Sequence, residues 1–331
     1  MLLTASGAPG TAALVRALRA NAERRVRLVG TDMSDQAIGR HVCDAFAVVP
    51  AGDDPTFADA VLEVCERERV DAVVPQSSYE LVALAEAKPR FGETAVLVSS
   101  PDAVRVCDDK VVTYGRLPRT PRFVVAAGAG QIAAAAEELG YPDEDVAVKP
   151  RRSSGSRGFR VVSARADRRR QLRENRPGVA EALRLEELVE LAGGEEVMVM
   201  ELARGPERTI DGIAEAGRIV LGHPKTREAT RAGLAMYFQT LDDPSLMELA
   251  QTIVADLGLE HFFNIQLVGD VVIEVNPRIS TLVYQEDLNL AYLGVKHALG
   301  EISAEELAAF APRVRPTRKA LRYFDQVEWD D

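Results

Sequence analysis

The first hundred residues constrain the fold most, because short apolar runs alternate there with helical patterns. Met1 to Thr4 leads into Ser6-Gly7-Ala8-Pro9-Gly10, and Leu14, Val15 and Leu18 follow at helical spacing. Val26 to Gly30 is a second apolar run ending at Asp32. Phe57 to Arg69 reads as a helix, and Val70 to Pro75 and Ala95 to Val98 read as further strands. Parallel strands need long crossovers, usually helical, so this alternation predicts a parallel sheet covered on both faces.

A chain of 331 residues is long for one core, so two or three domains are expected. Hydrophobic residues at 47% and charged residues at 27% describe an ordinary globular protein. The formal charge of −11 opposes broad binding to nucleic acid or anionic membranes, whose phosphates the net field would repel. The longest uncharged stretch, Phe123 to Ala136, is too short to span a membrane, and the N-terminus lacks a signal-peptide pattern. Cys43, Cys65 and Cys107 are far apart and form no Cys-x-x-Cys pair, as in a reduced compartment, so a cytoplasmic protein is expected. His41, His223, His261 and His297 show no metal-ligand spacing and read as structural.

Past Pro101 a helix carries Asp108-Asp109-Lys110, and Pro118 and Pro121 mark an inter-domain crossing. Val146 to Pro150 and Phe159 to Val162 flank Arg151-Arg152-Ser153-Ser154-Gly155-Ser156-Arg157-Gly158. This predicts a hairpin whose tip either wraps a polyphosphate or is merely mobile. Basic Arg165 to Arg176 and acidic Glu181 to Glu190 lack aromatic residues for base stacking and read as solvated helix faces. Glu195 to Leu202 is a strand, Thr209 to Ala214 pairs with Arg218 to Gly222, and Leu246 to Leu257 is an amphipathic helix. Phe262 to Val268 then pairs with Val271 to Val275 across Gly269-Asp270.

That last hairpin carries the chemistry. Strand side chains alternate faces, so Glu274, Asn276 and Arg278 point one way, and pairing brings Gln266 beside them. Hard oxygen donors followed by a cation suit a divalent ion holding phosphates, although a half-solvated strand alternates in the same manner.

The ordered set Lys110, Lys149-Pro150, the Ser-Gly-Ser-Arg-Gly loop, Glu201, Gly205-x-Glu207, Asp211, Gln266 and Glu274-x-Asn276-Pro277-Arg278 resembles the ATP-grasp superfamily. It is similar to members such as the carbamoyl-phosphate synthase large chain and the pyrrolysine-pathway ligase. The resemblance implies an α/β protein, α+β in its C-terminal part. Residues 1–107 would form a Rossmann-like domain, 108–198 a linker helix and lid, and 199–331 an antiparallel core with the metal site. It further implies that Lys110 and Lys149 reach the α- and β-phosphates, and that Ser153, Ser154, Gly155, Ser156, Arg157 and Gly158 form the lid. Val199-Met200-Glu201-Leu202 would be the strand that binds adenine through its backbone, and the Glu207 carboxylate would hold the ribose hydroxyls. Gln266, Glu274 and Asn276 would bind two Mg²⁺ ions, with Mn²⁺ as a substitute. Arg278 would face the transferred phosphate, and Lys225 and Arg227 would lie near the γ-phosphate and acceptor. Many relatives have an acidic residue before the Glu-Leu pair, where this chain reads Pro75-Gln76-Ser77-Ser78-Tyr79-Glu80-Leu81.

The implied function is an ATP-dependent carboxylate–amine ligase that forms an acyl phosphate on a small, amino-acid-like substrate, with a homodimer as the default assembly. One competitor is a fragment similar to carbamoyl-phosphate synthase, or a phosphotransferase, that activates bicarbonate or carbamate. A second is a non-catalytic nucleotide-binding module, which has no need of both Glu274 and Asn276. A third is a nicotinamide-dependent oxidoreductase, but Gly7-x-x-Gly10 with Asp32 lacks the full glycine spacing.

Overall fold

The computed structural model describes residues 1–153, 157–174, 182–191, 193–228, 235–280, 288–323 and 325–329. Strands β1 (Leu2–Leu3), β2 (Val29–Asp32), β3 (Ala45–Val48), β4 (Ala72–Val74) and β5 (Ala95–Val96) form a parallel sheet in the order β3-β2-β1-β4-β5. Leu2 and Leu3 are adjacent and fully buried on opposite faces. Leu2 packs with Phe57 and Val61 of the helix Phe57–Glu68, and Leu3 with Leu14 and Leu18 of the helix Thr11–Arg19. Burial on both faces explains why these strands read as continuous apolar runs. β3 escaped the sequence reading because Ala45–Val48 is an edge strand with only partial burial.

A second sheet contains β6 (Phe123–Ala127), β7 (Val146–Pro150), β8 (Arg160–Val162), β9 (Ala182–Leu183) and β10 (Glu196–Glu201), in the order β6-β10-β7-β8-β9. The helix Gly128–Glu138 covers it through Ile132, Ala135 and Ala136. The expected hairpin is present, with β7 and β8 antiparallel. All of β10 belongs to this sheet, so a boundary at residues 198/199 would cut a strand, and we propose that the lid unit ends after Glu201.

The third sheet starts with β11 (Glu207–Glu215) and β12 (Arg218–Thr226). The chain then forms β13 (Tyr237–Gln239), returns through β14 (His261–Val268) and β15 (Val271–Asn276), and ends in β16 (Lys319–Leu321), which pairs with β13. The sheet order is β12-β11-β14-β15, antiparallel throughout. Ile210, Phe263, Ile265 and Val275 pack on one side against Leu249, Ile253 and Leu257 of the helix Pro244–Leu257. The opposite face of the β14 and β15 pair is left for the site. Among the described residues, no helix is long and apolar enough to cross a membrane.

The region around Lys110 differs from the single helix read in the sequence. Two helices, Pro101–Asp108 and Lys110–Arg116, meet at Asp109, whose carboxylate caps the second by accepting from the backbone N–H groups of Val111 (3.1 Å) and Val112 (3.3 Å). The break places Lys110 in a first turn and aims it at the lid.

Candidate nucleotide and metal site

β14 and β15 pair across the Gly269-Asp270 turn as expected, but a regular two-residue hairpin would set Gln266 opposite Ile273, whereas the structure sets Gln266 opposite Glu274 and Asn264 opposite Asn276. Leu267 pairs with Val272, so Ile273 is an extra residue in a β-bulge. The bulge turns both Ile273 and Glu274 toward the cleft while Val272 and Val275 stay in the core. It also presents the Ile273 carbonyl to two donors, the Tyr114 hydroxyl (2.8 Å) and Lys149 Nζ (3.2 Å).

Lys149, on β7, is only 7% exposed and also donates to the Tyr114 hydroxyl at 2.7 Å, with its ammonium 4.4 Å from the ring centroid. Burial pulls its pKa down to about 7; Glu274 works against this fall and Lys110 adds to it. Lys110 Nζ donates to the Ser153 carbonyl, and its backbone N–H donates to the Arg151 carbonyl (3.1 Å). Its pKa is lowered by burial, with Glu274 opposing. Arg151 Nε in turn donates to both oxygens of Asp109, at 2.9 and 2.7 Å. The helix cap, the lid strand and the two lysines therefore form one connected unit.

The carboxamides are oriented by a residue that the sequence reading passed over. Gln266 Nε2 (3.0 Å) and Asn276 Nδ2 (3.4 Å) both donate to Asn264 Oδ1. Asn264 Nδ2 donates to Asp211 Oδ1 at 2.9 Å and to Thr209 Oγ1. A carboxylate only accepts, so Asp211 fixes which end of Asn264 faces it, and Asn264 fixes Gln266 and Asn276 with their oxygens turned away. Asp211 is itself buried and ion-paired with Lys225. Burial opposes its charge, yet Lys225, Ser280 and His223 together hold its pKa below the ordinary carboxylate value. Burial lowers the His223 pKa to about 4, leaving that ring neutral near pH 7. Asn264 lies two residues before Gln266 and so shares its face, a signal the alternation already contained.

Arg278 spans two domains. Its Nε donates to Ser78 Oγ (3.2 Å), its NH1 to the Ile279 carbonyl (3.0 Å) and its NH2 to Asn276 Oδ1 (3.5 Å). Burial lowers its pKa against the opposing pull of Glu274, Glu80 and Asp211. Ser78 is held by the departing loop noted in the sequence. There the buried Glu80 accepts from Thr4 Oγ1 (2.7 Å) and from the Gln76 and Ser77 backbone N–H groups (2.9 Å each). Burial raises the Glu80 pKa to about 7.

Two cavities meet at this platform. The smaller, about 150 Å³, is lined by Lys110, Lys149, Phe159, Met200, Leu202 and Glu274. The larger, about 500 Å³, lies between the Gly7 turn and β12, with Tyr79, Lys225, Arg227 and Arg278 in its wall. Arg157 borders both cavities and donates from NH1 to the Tyr79 hydroxyl (3.3 Å). Gly158 adopts φ +74° and lies so close to Pro150 that a Cβ would overlap its ring. Ser154, Gly155 and Ser156 lie outside the described residues.

The Glu201 carboxylate accepts from Arg122 Nε (2.6 Å), while its neighbours Met200 and Leu202 line the smaller cavity. Glu207, at the start of β11, stands 3.6 Å from Arg227 Nε and lines neither cavity. Among the described residues no three His, Cys, Asp or Glu side chains cluster as metal ligands. The donor set is instead one carboxylate and two carboxamides, hard oxygens that suit Mg²⁺.

Residues 1–99 match the model for a PylC-like N-terminal domain, and residues 194–320 match the model for an ATP-grasp in the biosynthetic pathway with Ter operon. The formate-dependent phosphoribosylglycinamide formyltransferase of Synechococcus sp. (strain WH7803) is 30% identical over 295 residues, covering 80% of this chain and 72% of that protein. The chain belongs to the ATP-grasp family. The same-named enzyme of Synechococcus sp. (strain CC9605) is 33% identical over 50% of this chain. The carbamoyl phosphate synthase large chain of Rubrobacter xylanophilus is 30% identical over 75% of it. This ATP-grasp chain spans only 41% and 24% of the lengths of those two relatives. An L-amino acid ligase from Bacillus licheniformis shares the fold at 16% identity, with a TM-score of 0.62 over 96% of this chain and 78% of its own. The α/β architecture and the ATP-grasp enzyme expected from the sequence are both met. Tyr114, four residues after Lys110 on the same helix face, and Asn264 are additions that the structure makes to that reading.

Proposed function

We propose that the protein is a cytoplasmic ATP- and Mg²⁺-dependent carboxylate–amine ligase that activates a small, amino-acid-like acid as an acyl phosphate. The observation that carries this reading is the platform itself. Gln266 and Glu274 are paired across β14 and β15, Asn276 stands beside them, and Asn264 turns both carboxamide oxygens outward between the two cavities. Gln266, Glu274 and Asn276 would hold Mg²⁺, as two ions replaceable by Mn²⁺. When bound, the metal neutralises phosphate charge and orients it for in-line transfer.

The chain's own residues supply positioning and charge, which provide most of the catalysis in phosphoryl transfer. Lys110 and Lys149 cradle the polyphosphate, and the substrate carboxylate lies in the larger cavity. A carboxylate oxygen bonds to the γ-phosphorus as the bond to ADP breaks. The amine nitrogen then attacks the acyl carbon, phosphate leaves with the electrons of the C–O bond, and the amine proton passes to the departing phosphate. Arg278 faces the oxyanion formed in that second step. The Arg157 contact with Tyr79 brings the lid across the cavity and excludes water from a readily hydrolysed intermediate.

The test is ADP release from Mg·ATP with paired acids and amines, scored with product mass. We expect release to require both partners and to fall at least about a hundredfold in Glu274→Gln, with ATP binding retained. Full activity of that variant would sink the metal assignment.

A further inference from the structure

The larger cavity has more positive charge than the reaction uses. Arg278 serves the reacting centre, Lys225 is consumed by Asp211, and Arg227 lies near Glu207. Arg322 has no such assignment. It follows β16, where its backbone N–H donates to the Met236 carbonyl (2.7 Å), and its side chain enters the cavity wall near Phe238 and Lys225. Its Nε is buried without a hydrogen-bond partner, and no carboxylate among the described residues pairs with it. Burial alone accounts for its lowered pKa. The only acid lining this cavity among the described residues is Asp32, whose oxygens already accept from the backbone N–H groups of Gly7 (2.7 Å) and Ser34 (3.0 Å).

A half-buried guanidinium whose Nε is shielded from solvent without a partner is stabilised when an anion completes it, and its planar fork fits a carboxylate or phosphate. We propose that the acid this enzyme activates is a dianion, whose second anionic group, a carboxylate or a phosphate, is held by Arg322 in the wall of the cavity that Arg278 also lines. Phe238, Ala235 and Leu14 line the same cavity and would accommodate a short apolar spacer. The tail after β16 thereby acts in acceptor selection. The inference deepens the ligase reading and rests on it for what is activated.

The experiment is calorimetric titration of the full chain, loaded with Mg²⁺ and ADP. The probes are glutarate and adipate, 3-phosphonopropionate, and the monoanions valerate and hexanoate. At least one dianion should bind ten times more tightly than the monoanions, and the better of the carboxylate and phosphonate series identifies the second group. Arg322→Met should erase that preference with ADP affinity unchanged, and Arg322→Lys should restore part of it. If Arg322→Met does not fold, the comparison rests on Arg322→Lys, which should lose at least threefold of the preference. Equal binding of dianions and monoanions by the native protein, or a preference that survives in both variants, would overturn the inference. Failure of the native protein to bind ADP would instead overturn the ligase reading.

Discussion

Single side chains in this site do their work through orientation. Neither Gln266 nor Asn276 has a charge to favour one flip of its carboxamide; Gln266 is oriented by the Asn264 oxygen, Asn276 by that oxygen and by Arg278, and Asn264 in turn by Asp211. Asn264→Ala removes that acceptor, frees Gln266 to rotate and leaves Asn276 with Arg278 alone. Outer partners of metal ligands typically cost about ten- to a hundredfold when lost. The half-saturating Mg²⁺ for ADP release should rise by that factor, and Mn²⁺ binding followed by electron paramagnetic resonance should weaken in parallel. Unchanged Mn²⁺ affinity would show that Asn264 only packs. Lys149 gives a second residue-scale prediction. Its pKa of about 7 lies below the ordinary lysine value, so the free protein is increasingly neutral there above pH 7, and a bound polyphosphate favours the ammonium. Nucleotide binding at pH 8 should therefore take up a proton, seen as a dependence of binding enthalpy on buffer ionisation enthalpy, and Lys149→Met should abolish the uptake. The sign for stability follows from the same shift. The unfolded chain binds the extra proton between about pH 7 and the unfolded lysine pKa of about 10.4, so this group's contribution to stability rises with pH across that window.

At the scale of elements, the hairpin was legible and its irregularity was not. Alternation and the Gly-Asp pair identify β14 and β15, whereas the opposition of Gln266 to Glu274 depends on the bulge, since a regular two-residue turn would place Gln266 opposite Ile273. One extra residue in Val271-Val272-Ile273 leaves an apolar run that reads identically with or without a bulge, so the Ile273 carbonyl site had no sequence signature. The helix break at Asp109 was hidden for a related reason, because an aspartate that caps one helix and follows another is indistinguishable from an aspartate within a longer one. The ion-pair partners of Glu201 and Glu207, Arg122 and Arg227, come from other strands or loops, and no local pattern foretells them. The turn that sets the register is testable. Gly269 adopts φ +56°, and a Cβ there would collide with the Arg204 carbonyl, while Gly205 at φ +124° passes directly over it. Gly269→Ala should destabilise the protein by about 1–3 kcal/mol in chemical denaturation. It should also depress ligase activity beyond what the remaining folded fraction accounts for, because the Gln266 and Glu274 register moves with the turn. Loss of activity in strict proportion to folded protein would leave the turn with a structural role alone.

Across the whole molecule, the packing divides the described residues into a base with one shared core and a second sheet with a core of its own, the proposed lid. One core joins Leu3, Leu14 and Val74 of the parallel sheet to Ile213 and Phe262 of the antiparallel sheet through Leu290, Tyr292 and Leu293 of the helix Leu290–Ala298. The N-terminal sheet is thereby joined to the β14 and β15 platform, and Ser78 accepts a hydrogen bond from Arg278 across that junction. The second sheet has its own core of Ile132, Ala136, Val148 and Val199, and it meets the rest chiefly through the small cluster of Tyr114, Ala147, Met198 and Met200. Lys149 and Met200 belong to that sheet, whereas Glu274 and Ile273 belong to the base, so a nucleotide in the smaller cavity bridges the two units. Binding should therefore order the lid against a base that changes little. Hydrogen exchange with Mg²⁺ and a non-hydrolysable ATP analogue should show strong protection in β7, β8 and β10. The β1, β2 and β4 amides, buried in the fused core, should exchange at their former rates. The Lys149→Met variant should lose most of the lid protection, because on the proposed reading its ammonium would be that sheet's own contact to the phosphates. Uniform protection over both units would mean that the packing boundary drawn here does not separate moving bodies.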